Sequence, residues 1–340
     1  MSTSLLLLLS DHWRHDWQPV LVRIPFPKIG DFLTNGIPIR YYSLAYLLRL
    51  ALAWWFLKRL ATKRLIALDE NMVADLIIPF ALLGVMVGGR LGYVLFYDVD
   101  EHTHRYVWLD HPAKIFQIWE GGMASHGGIL GVLIAFWIFA RRRKVPLAHV
   151  LDLACLTAPM GLFLGRVANF INGELWGRPS LVAWAVIFPA APPVDEAWKQ
   201  ANPDYAAWFA DGLVPRHPSQ LYEALGEGLF LFLILLALHR KLLPKSGGLT
   251  AIFLLGYGLA RVVCEQFREP DRQIGYEWLG LTRGQWLTSV MFVAGFILLW
   301  RVMRGRTAKW TPIAEKTGKP DEPVKPAKPA TPAKSARPGK

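Results

Sequence analysis

The feature that most limits what this chain can become is a series of apolar runs of about 20 residues, the length an α-helix needs to cross the hydrocarbon core of a bilayer. Seven read as spans: Tyr42–Leu60, Leu76–Tyr97, Met123–Ala140, Val145–Gly165, Leu221–Leu238, Leu249–Cys264 and Trp286–Trp300. Composition agrees, because 53% of the 340 residues are hydrophobic and 19% are charged, against about 25% charged in soluble domains. A disordered, fibrous or disulfide-stapled chain is excluded. The two cysteines, Cys155 and Cys264, both lie inside apolar runs, so neither a disulfide framework nor a thiolate metal cluster is expected. The Leu5–Leu9 run is too short to span and lacks a basic flank, and it does not read as a cleaved signal peptide.

The formal charge of +12 is unevenly spread. Lys58, Arg59, Lys63 and Arg64 follow the first span, and Arg141–Lys144 follow the third. Arg240, Lys241 and Lys245 follow the fifth, and Arg301, Arg304 and Arg306 follow the seventh. Every second connection is basic, which puts those connections in the cytoplasm, the N-terminus outside and the C-terminus inside. The outer connections are longer and of mixed charge, and residues 166–220 are long enough for a small folded extracytoplasmic insertion. The expected architecture is an all-α polytopic membrane protein, with a transmembrane region over 1–306. Residues 307–340, rich in Pro, Ala and Lys, are expected to be a disordered basic tail. No basic stripe interleaved with aromatics occurs on a soluble face, so no nucleic-acid partner is expected.

Charge at membrane depth is costly, about 2.5–3.5 kcal/mol for an Arg at a helix centre, and by default marks a site or a buried pair. Arg90, Arg166 and Arg261 stand apart from the loop clusters. Tyr257, Arg261 and Glu265 share one helix face at i, i+4, i+8, where Glu265 can orient the guanidinium; the plainer reading is an ion pair that anchors the helix. Arg166 and Asn169 sit at the outer end of the fourth span, before an Asn172-Gly173 turn. A planar guanidinium there suits a phosphate through paired hydrogen bonds; the alternative is a snorkelling Arg with capping Asn residues. His126 is flanked by Gly121, Gly122, Gly127 and Gly128, and could take a proton near neutral pH or simply bond between helices. His217–Glu223 reads as a site wall or a Ser-capped helix start. Gly84, Gly88 and Gly92 make a helix-packing face, with Arg90 off it and suited to pair with a carboxylate elsewhere. His149 and Asp152 are spaced to pair across a helix turn. No His/Glu metal spacing, nucleophile elbow or P-loop is present.

These residues resemble a known family. Gly165–Arg178, GRVANFINGELWGR, is similar to the signature of the phosphatidylglycerol–prolipoprotein diacylglyceryl transferases. Four further pieces agree in order and spacing: Arg40–Ser43 (RYYS), Ser125–Gly128 (SHGG), His217–Glu223 (HPSQLYE), and Tyr257…Arg261…Glu265 followed by Phe267–Asp271 (FREPD). Ala168 and Ser43 stand where the pattern usually has Gly, and neither removes a chemical group. The resemblance implies that a diacylglyceryl group passes from phosphatidylglycerol to the lipobox cysteine thiol of a prolipoprotein in the bacterial cytoplasmic (inner) membrane, with no metal or other cofactor. It implies that Arg166 and Arg261 bind the head group and stabilise the leaving phosphate, and that His126 is the candidate base for the thiol. Asn169, Glu174 and Gly177 would shape the outer loop, Gly127 and Gly128 would allow close approach of substrate, Tyr42 and Tyr257 would line the cavity, and Glu265 would orient Arg261. The rival readings are an anion transporter or channel, which requires a continuous polar path, and a lipid head-group hydrolase, which requires an activated water.

Overall fold

The computed structural model describes residues 12–24, 37–99, 105–117, 121–208, 212–269, 283–308 and 310. The expected tail, residues 307–340, lies almost wholly outside them. Seven long helices cover the seven expected segments among the described residues. They are α1 (Tyr41–Thr62), α2 (Glu70–Phe96), α3 (Ser125–Arg143), α4 (Leu147–Asn172), α5 (Ser219–Leu242), α6 (Gly248–Glu265) and α7 (Arg283–Met303). Four of them, α2, α4, α5 and α6, are long and apolar enough to cross a membrane. The others fall short for visible reasons: α1 carries Arg49, Lys58 and Arg59, α3 runs out at Arg141–Arg143, and the apolar part of α7, Thr288–Met303, is shorter. One small element departs from the all-α expectation: β1 (Val20–Ile24) pairs antiparallel with β2 (Ile37–Arg40), which runs straight into α1.

The helices end where local chemistry ends them. Asp69 caps α2 by accepting from the Met72 amide at 2.7 Å. Gly173 closes α4 in the left-handed region at φ 66°, where a residue without Cβ carries no strain. The start of α6 is capped from another helix: the Asp152 carboxylate accepts from the Gly247 and Thr250 amides at 2.7 Å and from the Thr250 hydroxyl at 2.8 Å. This corrects the expected His149–Asp152 pair, because His149 instead accepts from the Ala67 amide at 3.1 Å. Four orphan donors at a helix N-terminus outcompete one neutral imidazole for a buried carboxylate.

The glycine face works as expected. A Cβ on Gly88 would stand 2.7 Å from the Gly131 Cα, and one on Gly92 would stand 2.7 Å from the Gly127 Cα, so α2 and α3 touch backbone to backbone. Among the described residues Arg90 has no carboxylate partner. It gathers carbonyls of the connection before α3, donating to Gly121 O and Lys114 O at 2.5 Å each and to Ile115 O at 3.2 Å. A buried guanidinium needs acceptors, and chain-end carbonyls meet that need without a second buried charge.

The main apolar core sits at the basic ends of the helices, around Leu57, Phe139, Val150, Leu153, Leu235 and Leu249. At those ends Lys58 lies over Trp54, Arg59 over Trp55, Arg141 over Trp137, and Arg304 over Trp300, each four residues on. At the opposite ends, residues 174–218 fold between α4 and α5 around two clusters of their own. Phe170, Val186, Phe188 and Ala191 form one; Ile187, Val194, Trp208 and Val214 form the other.

Candidate active site

The charged centre begins with a change of helical pitch. α5 widens into a π-helical stretch over Ala224–Phe230, a form concentrated at functional sites. Glu223 immediately precedes this stretch and Glu227 lies within it, and both side chains are 0% exposed. Within the same stretch Gly228 lets α5 meet α4 closely, since a Cβ there would lie 2.7 Å from the Phe163 Cα. One turn further along α4, Arg166 reaches both carboxylates, with Nη1 2.9 Å from Glu223 Oε2 and Nη2 3.4 Å from Glu227 Oε2.

From α6, Arg261 enters the same centre. Its Nη1 lies 2.7 Å from Glu223 Oε1 and 3.3 Å from Glu227 Oε1, and its Nη2 lies 2.7 Å from Glu265 Oε2. The Arg261–Glu265 contact is the one expected from their spacing. Arg268, just past α6, puts Nη1 3.3 Å from Glu223 Oε1. Among the described residues these contacts join three guanidiniums and three carboxylates in one network. Pairing is what permits it, because a single unpaired charge at such burial would cost several kcal/mol. Tyr257 and Cys264 border the network on α6.

An outer rim holds these charges in register. Glu174 accepts from Asn169 Nδ2 at 2.7 Å and from Asn172 Nδ2 at 3.3 Å, and its carbonyl accepts from Gln220 Nε2 at 2.6 Å. Gly177 lies against two other strands of chain: its amide donates to His217 O at 3.0 Å, and the Arg178 amide donates to Phe267 O at 2.9 Å. Arg216, buried, pairs with Glu269 and donates to Gly177 O at 3.3 Å. The Tyr42 ring lies 5.0 Å from that of Tyr46, tilted by 49°. Beside Tyr222, an apolar cavity of about 490 Å³ is lined by Trp13, Phe170, Trp184, Val186 and Leu221 among others.

Of the residues expected at the site, Arg166, Arg261, Glu265 and Tyr257 meet at the centre, while Asn169, Glu174 and Gly177 form the rim. His126 does not join them. It is exposed on the first turn of α3, and no hydrogen bond or ion pair among the described residues links it to the arginines. Gly127 packs against α2, and Gly128 faces Val85. The sequence places Glu223 in the HPSQLYE segment and Arg268 in the FREPD segment without a role of their own and does not single out Glu227, although two carboxylates four apart in an apolar run carry the same cost signal as an intramembrane Arg. Nor does it single out Arg49, whose guanidinium lies 3.8 Å over the Tyr46 ring. Among the described residues no group of three His, Cys, Asp or Glu side chains is arranged to hold a metal ion.

One rim group responds to pH. His217 lies 3.1 Å from the Tyr222 hydroxyl, which accepts from Trp184 Nε1 at 2.6 Å, and burial holds its imidazole below the ordinary 6.5. The unfolded chain then binds the proton first as pH falls. The folded rim is therefore undiminished above 6.5 and is weakened as pH drops through and below that value. Trp184 fluorescence during unfolding at pH 7.5 and 5.5 should show this loss, and His217→Gln should remove the difference. An equal loss in that variant would assign the effect to another group.

Apolar helices enclosing a buried, charge-paired centre under a folded head define a helical membrane protein with an ionic site. The family model of the prolipoprotein diacylglyceryl transferases matches residues 31–301. The phosphatidylglycerol–prolipoprotein diacylglyceryl transferase of Rhodospirillum rubrum is 43% identical over 284 residues, covering 82% of this chain and 94% of the relative. That of Methylocella silvestris is 40% identical over 284 residues, covering 81% and 94%. That of Rhodospirillum centenum is 42% identical over 304 residues, covering 87% and 99%. The chain belongs to the prolipoprotein diacylglyceryl transferase family.

Proposed function

We propose that this protein transfers the diacylglyceryl group of phosphatidylglycerol to the thiol of a prolipoprotein's lipobox cysteine. A sulfur–carbon bond forms at the glycerol carbon, the carbon–oxygen bond to phosphate breaks, and glycerol phosphate leaves with the proton the thiol gave up. The single observation that carries this reading is the convergence of Arg166, Arg261 and Arg268 on buried carboxylates at the head-side ends of apolar helices.

Each group has a part in that chemistry. Arg166 and Arg261 grip the lipid phosphate and hold the charge that grows on it as it departs. Glu265 orients Arg261, while Tyr42 and Tyr257 line the path of the lipid. Asn169, Glu174 and Gly177 keep the rim closed over the head group. The nucleophile is the substrate's sulfur, active as thiolate, so the enzyme needs no cysteine of its own. His126, exposed at the mouth of α3, takes the thiol proton, with Gly127 and Gly128 giving the peptide room. The apolar cavity beside Tyr222 provides surface for the apolar part of a substrate whose reactive part is polar.

Seven spans, an outer N-terminus, a cytoplasmic C-terminus and location in the bacterial inner membrane complete the proposal. Residues 1–306 are the catalytic region, 166–220 its outer head and 307–340 a basic cytoplasmic tail. The cation–aromatic pairs at one end of α1, α3 and α7 support that orientation.

The test is transfer of label from acyl-labelled phosphatidylglycerol to a lipobox peptide, with a Cys→Ser peptide as control. Label on the Cys peptide alone supports the reading; solute flux in proteoliposomes without any transfer would favour a transporter instead. In the same assay His126→Gln should slow transfer about 100-fold, the usual contribution of a positioned base, and flatten its pH profile. An unchanged rate and profile would remove His126 from the role of base.

A further inference from the structure

We propose that Arg49 holds the lipid donor by the carbonyls of its acyl esters, and so makes the protein select phosphatidylglycerol with ester-linked chains over the same lipid with ether-linked chains. The proposal rests on the reading above that the lipid phosphate lies at Arg166 and Arg261. It adds a second point of hold, on the tail side of the phosphate, which that reading does not require.

Arg49 is a half-buried guanidinium without an acceptor. It stands about 12 Å inward of Tyr41, the first residue of α1. Among the described residues it makes no hydrogen bond and no ion pair. Its guanidinium lies 3.8 Å over the Tyr46 ring, and its stem lies against α4, where a Cβ on Gly161 would stand 3.2 Å from its Cδ. A ring face attracts the charge but offers the N–H donors no lone pair. The other arginines on the helices near this depth differ: carbonyls meet Arg90, and carboxylates meet Arg166 and Arg261. A charge left so on an apolar helix is costly and by default marks a site.

The packing of α4 shows what lies in front of it. Gly161 turns toward α1. Phe163 turns toward α5, its Cα 2.7 Å from where a Cβ on Gly228 would lie. At about 100° per residue, Gly165, Arg166 and Asn169 occupy the arc between these two faces. A Cβ on Gly165 would meet no atom within 4 Å among the described residues, so the helices leave a gap there, with Arg166 toward its α5 side and Arg49 toward its α1 side. Tyr42 and Tyr46 share the Arg49 face of α1 at i, i+4, i+7 and continue that wall toward the head.

Depth decides which part of the lipid meets Arg49. Arg166 lies about 7 Å nearer the head-side end of α4 than Gly161 does. A phosphate held there has its glycerol and both esters on the tail side, a few bonds inward, toward the level of Gly161. An ester carbonyl accepts hydrogen bonds without bringing a second charge. This molecule already settles one buried guanidinium in that way, since Arg90 donates to the carbonyls of Gly121, Lys114 and Ile115. An ether link has no carbonyl and leaves Arg49 without an acceptor. Both esters survive the transfer, so Arg49 holds the diacylglyceryl group equally before and during departure of the phosphate. Such uniform holding lowers KM without raising kcat.

The test is transfer to a lipobox peptide by the full-length protein in detergent, from ester-linked and from ether-linked phosphatidylglycerol of the same chain length. Wild-type protein should use the ester lipid with kcat/KM about tenfold higher, the scale of a hydrogen bond from a charged donor, and the difference should lie in KM. Arg49→Leu should raise KM for the ester lipid until the two lipids are used alike, with the lipid-free protein at least as stable to heat. Arg49→Lys, a point donor in place of a planar fork, should keep part of the preference. Equal use of the two lipids by wild-type protein overturns the proposal, and so does a preference that persists in Arg49→Leu. A fall in that variant shared by both lipids also overturns it, since Arg49 would then hold the phosphate or only anchor α1. All three results leave the transferase reading intact; transfer from neither lipid by wild-type protein removes the reading and the proposal together. If Arg49→Leu does not fold, Arg49→Lys decides in its place: a reduced preference supports the proposal, and an undiminished one overturns it.

Discussion

Arg261→Ala is expected to lower transfer from phosphatidylglycerol to a lipobox peptide by at least about 100-fold, the scale on which a positioned donor to a developing oxyanion contributes. Arg261 touches Glu223, Glu227 and Glu265 together, so the substitution does two kinds of damage. It removes a donor to the phosphate, and it leaves carboxylates buried without their partner, which in comparable networks costs about 3–5 kcal/mol of stability. The two are separable. Arg261→Ala with Glu227→Gln removes one charge of each sign and should recover much of the lost thermal stability while transfer stays at background. Arg261→Lys keeps the charge but replaces a planar fork with a point donor, so it should fold well and transfer poorly. If Arg261→Ala inserts into the membrane and transfers at near the wild-type rate, the guanidinium has no part in the reaction.

Gly177→Val should be almost as damaging without touching a charged group. A Cβ at Gly177 would stand 2.5 Å from His217 O and 2.6 Å from Phe267 O, and both are backbone atoms that cannot move without undoing the crossing. Overpacking at ordinary core positions costs about 1–3 kcal/mol, and here the strain falls on the one place where the signature segment, the start of α5 and the chain after α6 are joined. Glu223 follows one of those strands and Arg268 follows the other. The expected result is loss of transfer with the helices retained by circular dichroism, and rapid proteolysis within 174–218. Wild-type activity in Gly177→Val would mean that the rim does not position the centre.

Much of the fold was legible because length and apolarity act locally. The run read as Tyr42–Leu60 is α1 at Tyr41–Thr62, and Leu249–Cys264 is α6 at Gly248–Glu265. The Arg261–Glu265 pair could be read for the same reason: both partners lie on one helix, and helical spacing alone brings them together. What could not be read was which distant group answers a buried charge. Among the described residues Arg90 is met by backbone carbonyls rather than a carboxylate, and Asp152 caps a helix through Gly247, 95 residues later. In each case the partner is chosen by packing. Glu223 could be read only as part of the HPSQLYE segment and Glu227 not at all, although buried carboxylates carry the same cost as cations at membrane depth. The π-helical stretch that holds Glu227 leaves no periodic signal in so short a length. His126 is linked to the arginines by resemblance, and among the described residues no hydrogen bond or ion pair joins it to them.

The account depends on where the lipid phosphate lies. A structure of the full-length protein with phosphatidylglycerol in a nanodisc measures this directly. The phosphorus should lie close enough to Arg166 and Arg261 for its oxygens to accept hydrogen bonds from both. A phosphate bound elsewhere, with Arg166 and Arg261 still paired to Glu223 and Glu227, would contradict it.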